Sequence, residues 1–312
     1  MNRKLHIWLR AIRFRFLAAS AIAVTNGLVL GYLYNPIHFN IFYAVLIYIG
    51  IFCLHSSVDL FNDYWDYKRK IDLFTKKTKF SGGTGVLPEG LLKPNEVYRA
   101  AILFLIFGLS VGISFVFIKG YIIALILGFA TLSIILYSTK LVNVGLGELF
   151  VGIKGMLIVI GSFYIQTDVI VIESLFVGLI AGLLSSLVLF MNSIPDIKAD
   201  REHGRRTLAI IFENYSWDKK LILLLFFFIS IYCLTFYLYY FLLGNPFLFV
   251  LDLFFIPLSF SIIENFYFFT VYKKEVDTFY EKIMAKTVLF SRLYGISITI
   301  GLLIWLVFHF KK

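Results

Sequence analysis

Nine apolar stretches, each of about twenty residues, follow one another along this 312-residue chain. A bilayer core about 30 Å thick is crossed by roughly 20 residues of helix. The composition agrees, with 60% hydrophobic and only 15% charged residues, whereas an ordinary soluble domain is about a quarter charged. The pattern therefore predicts an all-α membrane protein with nine transmembrane helices. The predicted spans cover residues 16–34, 39–61, 97–118, 121–138, 145–166, 169–191, 221–243, 247–269 and 287–310.

The basic residues are distributed unevenly between the connections. Nine spans place the N-terminus, the short link 139–144 and the long polar connections 62–96, 192–220 and 270–286 on one side of the membrane. Counted through Arg99 and Arg292 in the adjoining span ends, that side receives 25 of the 29 lysines and arginines. By the positive-inside rule it is cytoplasmic, which predicts a multi-pass protein of the cell membrane with its C-terminus outside. The net charge of +10 is thereby assigned to topology, and no nucleic-acid partner is expected.

A first group of acids lies at the end of the second predicted span. Asp59, Asn62, Asp63 and Asp66 recur at steps of three and four, so a helix places them on one face. Like charges this close raise one another's pKa values and destabilise the fold unless they are compensated. A divalent cation at this helix end would resolve the conflict.

The end of the sixth predicted span carries a related pattern. Asn192 and Asp196 repeat the Asn-x3-Asp spacing of Asn62 and Asp66. Four helices separate the two positions, so both helices run the same way and both clusters open on the same membrane face. We expect one domain over residues 1–312, built from two four-helix pseudo-repeats around a central cavity. The repeats cover about 16–140 and 145–269, and a last helix covers about 287–310.

Two facing clusters of carboxylates and amides suit a phosphate-bearing substrate. Mg²⁺ takes oxygen ligands and usually binds through one or two carboxylates together with substrate phosphates. Basic side chains beside the second cluster are available to neutralise the remaining charge of a diphosphate. An apolar cavity below would hold a long hydrocarbon, as in a polyprenyl diphosphate. The basic residues in question are Lys198, Arg201, Arg205 and Arg206.

These motifs resemble those of the UbiA superfamily of intramembrane prenyltransferases. Its patterns NDxxDxxxD and DxxxD match Asn62-Asp63-x2-Asp66 and Asp196-x3-Asp200. The first match departs in spacing, because Asp72 follows Asp66 by six residues and Lys70 occupies the usual position. The departure is similar to the branch that prenylates 1,4-dihydroxy-2-naphthoate in menaquinone synthesis. Segments 80–87, 145–151 and 205–209 resemble that branch as well.

The resemblance implies a nine-helix fold around a cavity, Mg²⁺ as cofactor, and transfer of a prenyl group from its diphosphate to an electron-rich acceptor. Tyr137 and Lys140 resemble a Tyr and a Lys at the end of the family's fourth helix, although an interfacial aromatic with a snorkelling Lys is an equal reading. The predicted catalytic residues are Asp66, Asp196, Asp200, Tyr137 and Lys140. The predicted substrate-binding residues are Asn62, Asn192, Lys198, Arg201, Arg205 and Arg13. The predicted metal ligands are Asn62, Asp63, Asp66, Asp72, Asp196 and Asp200.

Some charges fall inside predicted spans, where ionisable groups are expensive. Lys154 either pairs with an acid on another helix, with Asp59 and Asp252 as candidates, or reaches the cavity. His55 precedes Asp59 by four residues and is predicted to hydrogen-bond with it. The glycine-rich stretch 80–85 is predicted to form a lid over the cavity mouth.

Two alternatives remain open at this stage. Within the enzyme class, the acceptor is 1,4-dihydroxy-2-naphthoate or a similar compound, geranylgeranylglyceryl phosphate, or 4-hydroxybenzoate, and the prenyl chain length is open. From another class, a secondary transporter also has many helices, buried charges and repeats. The expected partners are a polyprenyl diphosphate, an acceptor and membrane lipid, and the oligomeric state is undetermined.

Overall fold

The computed structural model describes residues 3–74, 77–212, 217–271 and 278–309, and within these ranges the secondary structure is helical with no strand. The residues at 75–76, which belong to the predicted first long connection, and the C-terminal residues 310–312 lie outside the described ranges. Helices of nine or more residues are numbered in chain order. They are α1 (Arg3–Ala11), α2 (Leu17–Tyr34), α3 (Ile41–Lys68), α4 (Pro94–Lys119), α5 (Tyr121–Leu136), α6 (Gly147–Thr167), α7 (Ile172–Ser193), α8 (Trp217–Tyr237), α9 (Ile256–Val271) and α10 (Thr278–His309).

The predicted spans all contain helix, but not every helix is long enough to cross a membrane alone. Among the described residues, seven helices pass by length and composition, and an eighth is counted if a bent pair, Pro246–Leu253 with α9, forms one span broken at 43°. Helix α5 ends after 16 residues, a length of about 24 Å. The chain then continues as a π-helical turn, Tyr137–Leu141. The all-helical, multi-pass membrane architecture is thus confirmed, whereas the count of nine and the pseudo-repeats stay predictions.

Small residues let the central helices α2, α6 and α7 approach closely. A Cβ built on Gly182 of α7 would lie 2.5 Å from the carbonyl oxygen of Gly152 on α6. A Cβ on Gly27 of α2 would lie 2.4 Å from the carbonyl oxygen of Val159. Membrane helices associate largely through such close packing, since lipid provides no hydrophobic drive between them. Larger side chains at these positions would push the helices apart.

Side-chain amides tie the helices together at the end of the bundle where α3 begins. The Asn40 side chain caps α3 by accepting hydrogen bonds from the backbone N–H groups of Phe42 and Tyr43 at 2.9 and 3.1 Å. Gln166, near the end of α6, accepts from the Asn40 N–H at 2.9 Å and donates to the Asn40 carbonyl oxygen at 3.0 Å. These bonds satisfy backbone groups that a helix start leaves unpaired and fix α3 against α6.

The opposite end, where α3 and α7 finish, carries the predicted acids and is called the acidic end below. Helix α3 runs 28 residues, about 42 Å, so its last turns extend past the hydrocarbon thickness. A second hydrophobic cluster packs around this extension and includes Leu60, Val86, Leu87 and, partly buried, Trp8. Helix α1 and the 81–92 segment are thereby held against the acidic end.

Candidate active site

A cavity of about 830 Å³ opens among the helices at the acidic end. Residues of α2 to α7 and α10 line it, together with α1 and the glycine-rich segment. Most of the wall is apolar, and the polar lining residues gather near the mouth and at one deeper position. The apolar wall includes Ile47, Leu54, Val111, Phe115, Ile126, Leu127, Ile158 and Leu189. The cavity therefore combines a charged entrance with a hydrophobic interior.

The acids at the end of α3 divide between two environments. Asp59, Asn62 and Asp66 line the cavity, whereas Asp63 does not. Asp63 lies about 100° around the helix from Asn62, and it accepts hydrogen bonds from the Thr84 hydroxyl and, at 2.8 Å, from the Arg13 guanidinium. The predicted shared face thus holds only three of the four residues, and Arg13 serves as the partner of Asp63 while also lining the cavity.

The second cluster forms where α7 ends. A 3₁₀ turn, Ile194–Asp196, includes Pro195 and leads into a short helix, Ile197–Glu202. Asp196 accepts a hydrogen bond at 3.1 Å from the backbone N–H of Gly82, and its other oxygen is buried without a partner in the described structure. The Asn192 side-chain oxygen is also buried and unpartnered. Buried unsatisfied oxygens are rare, and in a cavity wall they are acceptors that a ligand or an ion can use.

Arg205 joins the two clusters. Its guanidinium forms an ion pair with Asp66 of the first cluster and another, at 3.1 Å, with Asp200 of the second. Both carboxylates are nearly inaccessible, at 4% and 3% exposure. Removing one member of a buried ion pair strongly destabilises the fold, because the other charge is left uncompensated. The bridge therefore fixes the separation of the two acidic helix ends.

The glycine-rich segment contacts both clusters. Gly82 donates to Asp196 and Thr84 donates to Asp63, so one turn of chain spans the mouth. Gly83 has φ of +69°, and a Cβ there would lie 2.7 Å from both carboxylate oxygens of Asp72. Only glycine combines that backbone conformation with so close an approach. Burial and the nearby carboxylates of Asp66 and Asp63 raise the pKa of Asp72 to about 8.

An ionic clasp anchors this segment from outside. Arg10 donates to both carboxylate oxygens of Glu89, at 2.8 and 2.5 Å, and to the Thr84 carbonyl oxygen at 2.7 Å. Lys77 also pairs with Glu89. These hydrogen bonds lower the pKa of Glu89 to about 2. The clasp ties α1 to the segment that covers the mouth.

The remaining predicted residues separate into two groups. Tyr137 lines the cavity. Lys140, Lys198 and Arg201 are exposed and lie outside the cavity wall. Their predicted catalytic and substrate-binding roles stay predictions.

The oxygen-rich donor set suits a hard divalent cation. The unpartnered oxygens of Asp196 and Asn192 lie in the same cavity as Asp66, Asp72 and Asp200. In the part of the chain described, no three His, Cys, Asp or Glu side chains are spaced to enclose one ion. Carboxylate and amide oxygens of this kind are ligands that Mg²⁺ accepts, and it needs only one or two carboxylates when phosphate oxygens supply other ligands.

Two contacts in this site have no signal in the local sequence. The Gly82–Asp196 hydrogen bond joins residues 114 positions apart, and the Arg205–Asp66 pair joins residues 139 apart. A glycine-rich segment followed by Thr indicates a turn but does not identify its partner. Such pairings become visible only when the helices that carry them are packed.

A model of the UbiA prenyltransferase family matches residues 20–284. The chain therefore belongs to the UbiA prenyltransferase family, and the resemblance drawn from the aspartate motifs is confirmed. Because the family is one of prenyltransferases, the secondary-transporter alternative is not supported.

Curated relatives agree with this assignment. The 1,4-dihydroxy-2-naphthoate octaprenyltransferase of Bacillus subtilis is 31% identical over 200 residues, which are 62% of this chain and 62% of the relative. The protein of the same name in Escherichia coli is 29% identical over 65% of this chain and 67% of the relative. Digeranylgeranylglyceryl phosphate synthase of Methanobrevibacter smithii is 25% identical over 54% of this chain and 58% of the relative. The chain thus spans less than two thirds of the first relative's length.

Solved structures share the fold over nearly the whole chain. A structure of digeranylgeranylglyceryl phosphate synthase superposes with a TM-score of 0.56 at 17% identity, covering 96% of this chain and 99% of that one. A UbiA homologue from Archaeoglobus fulgidus, bound to DMAPP and Mg²⁺, gives 0.55 at 14% identity, covering 94% and 98%. At these identities the likeness establishes the fold.

Proposed function

We propose that this protein transfers a polyprenyl group from a polyprenyl diphosphate to an aromatic acceptor, with 1,4-dihydroxy-2-naphthoate or a similar compound as the acceptor, in a Mg²⁺-dependent reaction. One observation carries the proposal most strongly: two acidic helix ends meet at the mouth of one apolar cavity and are joined there by Arg205. A diphosphate at the mouth and a prenyl chain in the interior match these two environments.

The residues that would hold Mg²⁺ are Asn62, Asp66, Asp196 and Asp200, with Asp63 and Asp72 in support. When bound, the ion supplies positive charge that stabilises the diphosphate as a leaving group. Asn192 and the basic residues Arg205, Arg13, Lys198 and Arg201 would bind the diphosphate oxygens. Asp63, already paired with Arg13 and Thr84, would act by holding the glycine-rich segment in place.

The bond changes define what the rest of the cavity does. The C–O bond between the prenyl C1 and the diphosphate breaks, a bond from C1 to an acceptor ring carbon forms, and that carbon loses a proton. Preorganised cationic groups such as Arg205 stabilise the charge that develops on the departing diphosphate. The apolar wall keeps water from the electron-poor prenyl carbon. Tyr137, half-buried in the cavity wall, is placed to contact either substrate.

The membrane arrangement follows from the same proposal. Nine spans in two four-helix pseudo-repeats and a last helix, with the N-terminus and the acidic end cytoplasmic, put the cavity mouth on the cytoplasmic side, where the diphosphate group and the acceptor would enter. Short α5 with its π-helical turn and the bent pair Pro246–Leu253 and α9 would each count as one span. The distribution of lysine and arginine supports this orientation.

The acceptor assignment rests on the named relatives and on the Asp72 spacing. Both bacterial relatives carry the name of a naphthoate prenyltransferase, while the archaeal relative favours geranylgeranylglyceryl phosphate as the alternative acceptor. 4-Hydroxybenzoate is a further alternative. The aromatic and glyceryl acceptors differ in shape and are readily separated by assay.

The test is to incubate purified protein in detergent with radiolabelled geranylgeranyl diphosphate, Mg²⁺ and each acceptor in turn, and to measure lipophilic product. We expect product with 1,4-dihydroxy-2-naphthoate, none with EDTA, and a loss of at least about a hundredfold in Asp196→Ala. Asp168→Asn is the matched control, because Asp168 is an exposed carboxylate paired with Lys119 at the other end of the bundle. Absence of product with every acceptor, or full activity in Asp196→Ala, would contradict the proposal.

A further inference from the structure

A second polar group lies in the cavity wall, deeper than the acid clusters. It consists of Ser20 on α2, His55 and Asp59 on α3, and Lys154 on α6, all of which line the cavity. Asp59 precedes Asp66 by seven residues, about 10 Å along the helix. Lys154 follows Glu148 by six residues, about 9 Å. Both helices therefore place this group well inside the membrane, beyond the site proposed for the diphosphate.

The hydrogen bonds within the group are incomplete. The Ser20 hydroxyl and His55 Nδ1 share a hydrogen bond of 2.7 Å. His55 Nε2 lies 3.6 Å from Asp59 Oδ2, so the predicted hydrogen bond between them does not form. Asp59 Oδ2 is buried and has no hydrogen-bond partner in the described structure. The carboxylate is therefore held near the imidazole without being fully satisfied.

Lys154 is the cation of this group. It interacts electrostatically with Asp59 and with His55, and within the described residues it forms no hydrogen bond. An ammonium group has three donors, and one without hydrogen bonds among membrane helices is expensive and usually functional. Of the two predicted alternatives, pairing with an acid and reaching the cavity, the second describes the structure, since within the described residues Lys154 forms no ion pair and lines the cavity. A ligand in the cavity can therefore reach it.

The other nearby cation is held at the end of α3. Arg13 acts electrostatically on Asp59 and donates to Asp63 at 2.8 Å, while its Nε is buried without a partner in the described structure. Lys154, on α6, is the charged donor that the deeper group itself offers to a guest. The cavity wall also includes the apolar residues Ile51, Leu54 and Val111. An apolar pocket with one charged group favours a ligand that is largely hydrocarbon with a single anionic substituent.

We propose that Lys154 binds the carboxylate of an aromatic acceptor, so that this deeper group is the acceptor subsite and selects acidic aromatic compounds. The inference rests on the proposed function and adds the residue that chooses the acceptor. The distance of about two helical turns between Asp59 and Asp66 leaves room for an aromatic ring between the carboxylate and the prenyl C1. Asp59 interacts electrostatically with Lys154 and would compete with the ligand carboxylate for the ammonium.

Binding tests the proposal without requiring turnover. Affinities of purified protein for 1-hydroxy-2-naphthoate and for 1-naphthol, which lacks the carboxylate, are measured by calorimetry in detergent. We expect the wild-type protein to bind the carboxylate at least about tenfold more tightly, as a charge-assisted hydrogen bond allows. Lys154→Met should abolish that preference and Lys154→Arg should retain most of it. Lys119→Met, which removes a lysine at the other end of the bundle, should behave as wild type.

A second variant distinguishes recognition from a merely structural role. Asp59→Asn removes the competing carboxylate and should tighten 1-hydroxy-2-naphthoate binding, whereas a variant that only damages the fold would weaken both ligands. An unchanged preference in Lys154→Met, or no preference in the wild type, overturns the proposal. Product formation is measured separately, so a protein that makes product but shows no Lys154-dependent preference disproves the subsite alone. A protein that shows the preference but makes no product disproves the proposed transfer reaction alone.

Discussion

The two acidic helix ends differ in how completely their charges are matched. At the end of α3, Asp63 is paired with Arg13 and Thr84, and Asp66 is paired with Arg205. At the end of α7, one oxygen of Asp196 and the side-chain oxygen of Asn192 are buried without partners. The charges of Asp63 and Asp66 are therefore matched within the protein, whereas Asp196 and Asn192 present acceptor oxygens that a cation or a ligand donor can use.

This difference gives the two ends separate tasks. Removal of a buried charged partner leaves the other charge uncompensated, which costs about 3–5 kcal/mol. Removal of an unpartnered oxygen costs the fold little and can stabilise it. We therefore expect substitutions around Asp66 to affect both stability and activity, and substitutions around Asp196 to affect mainly activity.

The largest expected effect is that of Arg205→Met. It would leave Asp66 and Asp200 buried without their common cation, so we expect a loss of about 3–5 kcal/mol in stability, measured as a lower Tm in detergent without divalent cations. Added Mg²⁺ should restore part of the loss, because the freed carboxylates can then bind it. Arg206→Met, at the exposed neighbouring position, is the control. Equal Tm values for the two variants would show that Arg205 does not join the clusters.

An intermediate effect is expected from Gly83→Ala. Its Cβ would meet the Asp72 carboxylate at 2.7 Å and displace the segment whose neighbours bond to Asp196 and Asp63. We expect prenyl transfer to fall about tenfold, the equivalent of one lost hydrogen bond. Gly90→Ala is the matched control, because φ is +68° at Gly90 and +69° at Gly83. A Cβ on Gly90 would have no atom within 4 Å. Similar losses in both variants would assign the effect to backbone strain and contradict the role of the contact.

The smallest effect is expected from Glu89→Gln in the exterior clasp. The side chains of Glu89 and Arg10 are 43% and 31% exposed, so the loss of stability in Glu89→Gln should stay below about 1 kcal/mol. The pKa of Glu89, lowered to about 2, lies below the value of about 4.3 expected when unfolded. The contribution of Glu89 to the free energy of unfolding is therefore complete above about pH 4.3 and disappears as the pH falls through about 2.

Thermal unfolding of wild type and Glu89→Gln across pH gives the measurement for this clasp. The difference in Tm should be constant at neutral and mildly acidic pH. A difference that grew between pH 5 and pH 8 would mean that another group titrates at the clasp.

Hydropathy predicts where this chain crosses the membrane better than where its helices end. The second span is predicted to end at residue 61, whereas helix α3 continues to Lys68. The last residues of α3 are polar, and they stay helical after the helix has left the hydrocarbon layer. The π-helical turn after α5 and the 43° bend before α9 have no comparable signal, since both depend on packing between helices.

The site shows the same division between local and long-range information. Helical spacing grouped Asn62 with Asp66 and Asn192 with Asp196, because a helix fixes the direction of residues three and four apart, and the resemblance to the family's aspartate motifs added Asp200. The orientation of Asp63 away from the cavity depends on Arg13 and Thr84, which approach from other segments. Arg205 was assigned to the substrate, whereas in the structure it bridges two acids.

The central claim is that both helix ends act on a single diphosphate. It is tested most directly by a double-mutant cycle of Asp66→Asn and Asp196→Asn, with binding of geranyl S-thiolodiphosphate in the presence of Mg²⁺ measured by calorimetry. If one diphosphate is held by both ends, the two losses are not additive, and we expect a coupling energy of at least about 1 kcal/mol. Strictly additive losses, or unchanged binding in either single variant, would contradict the account.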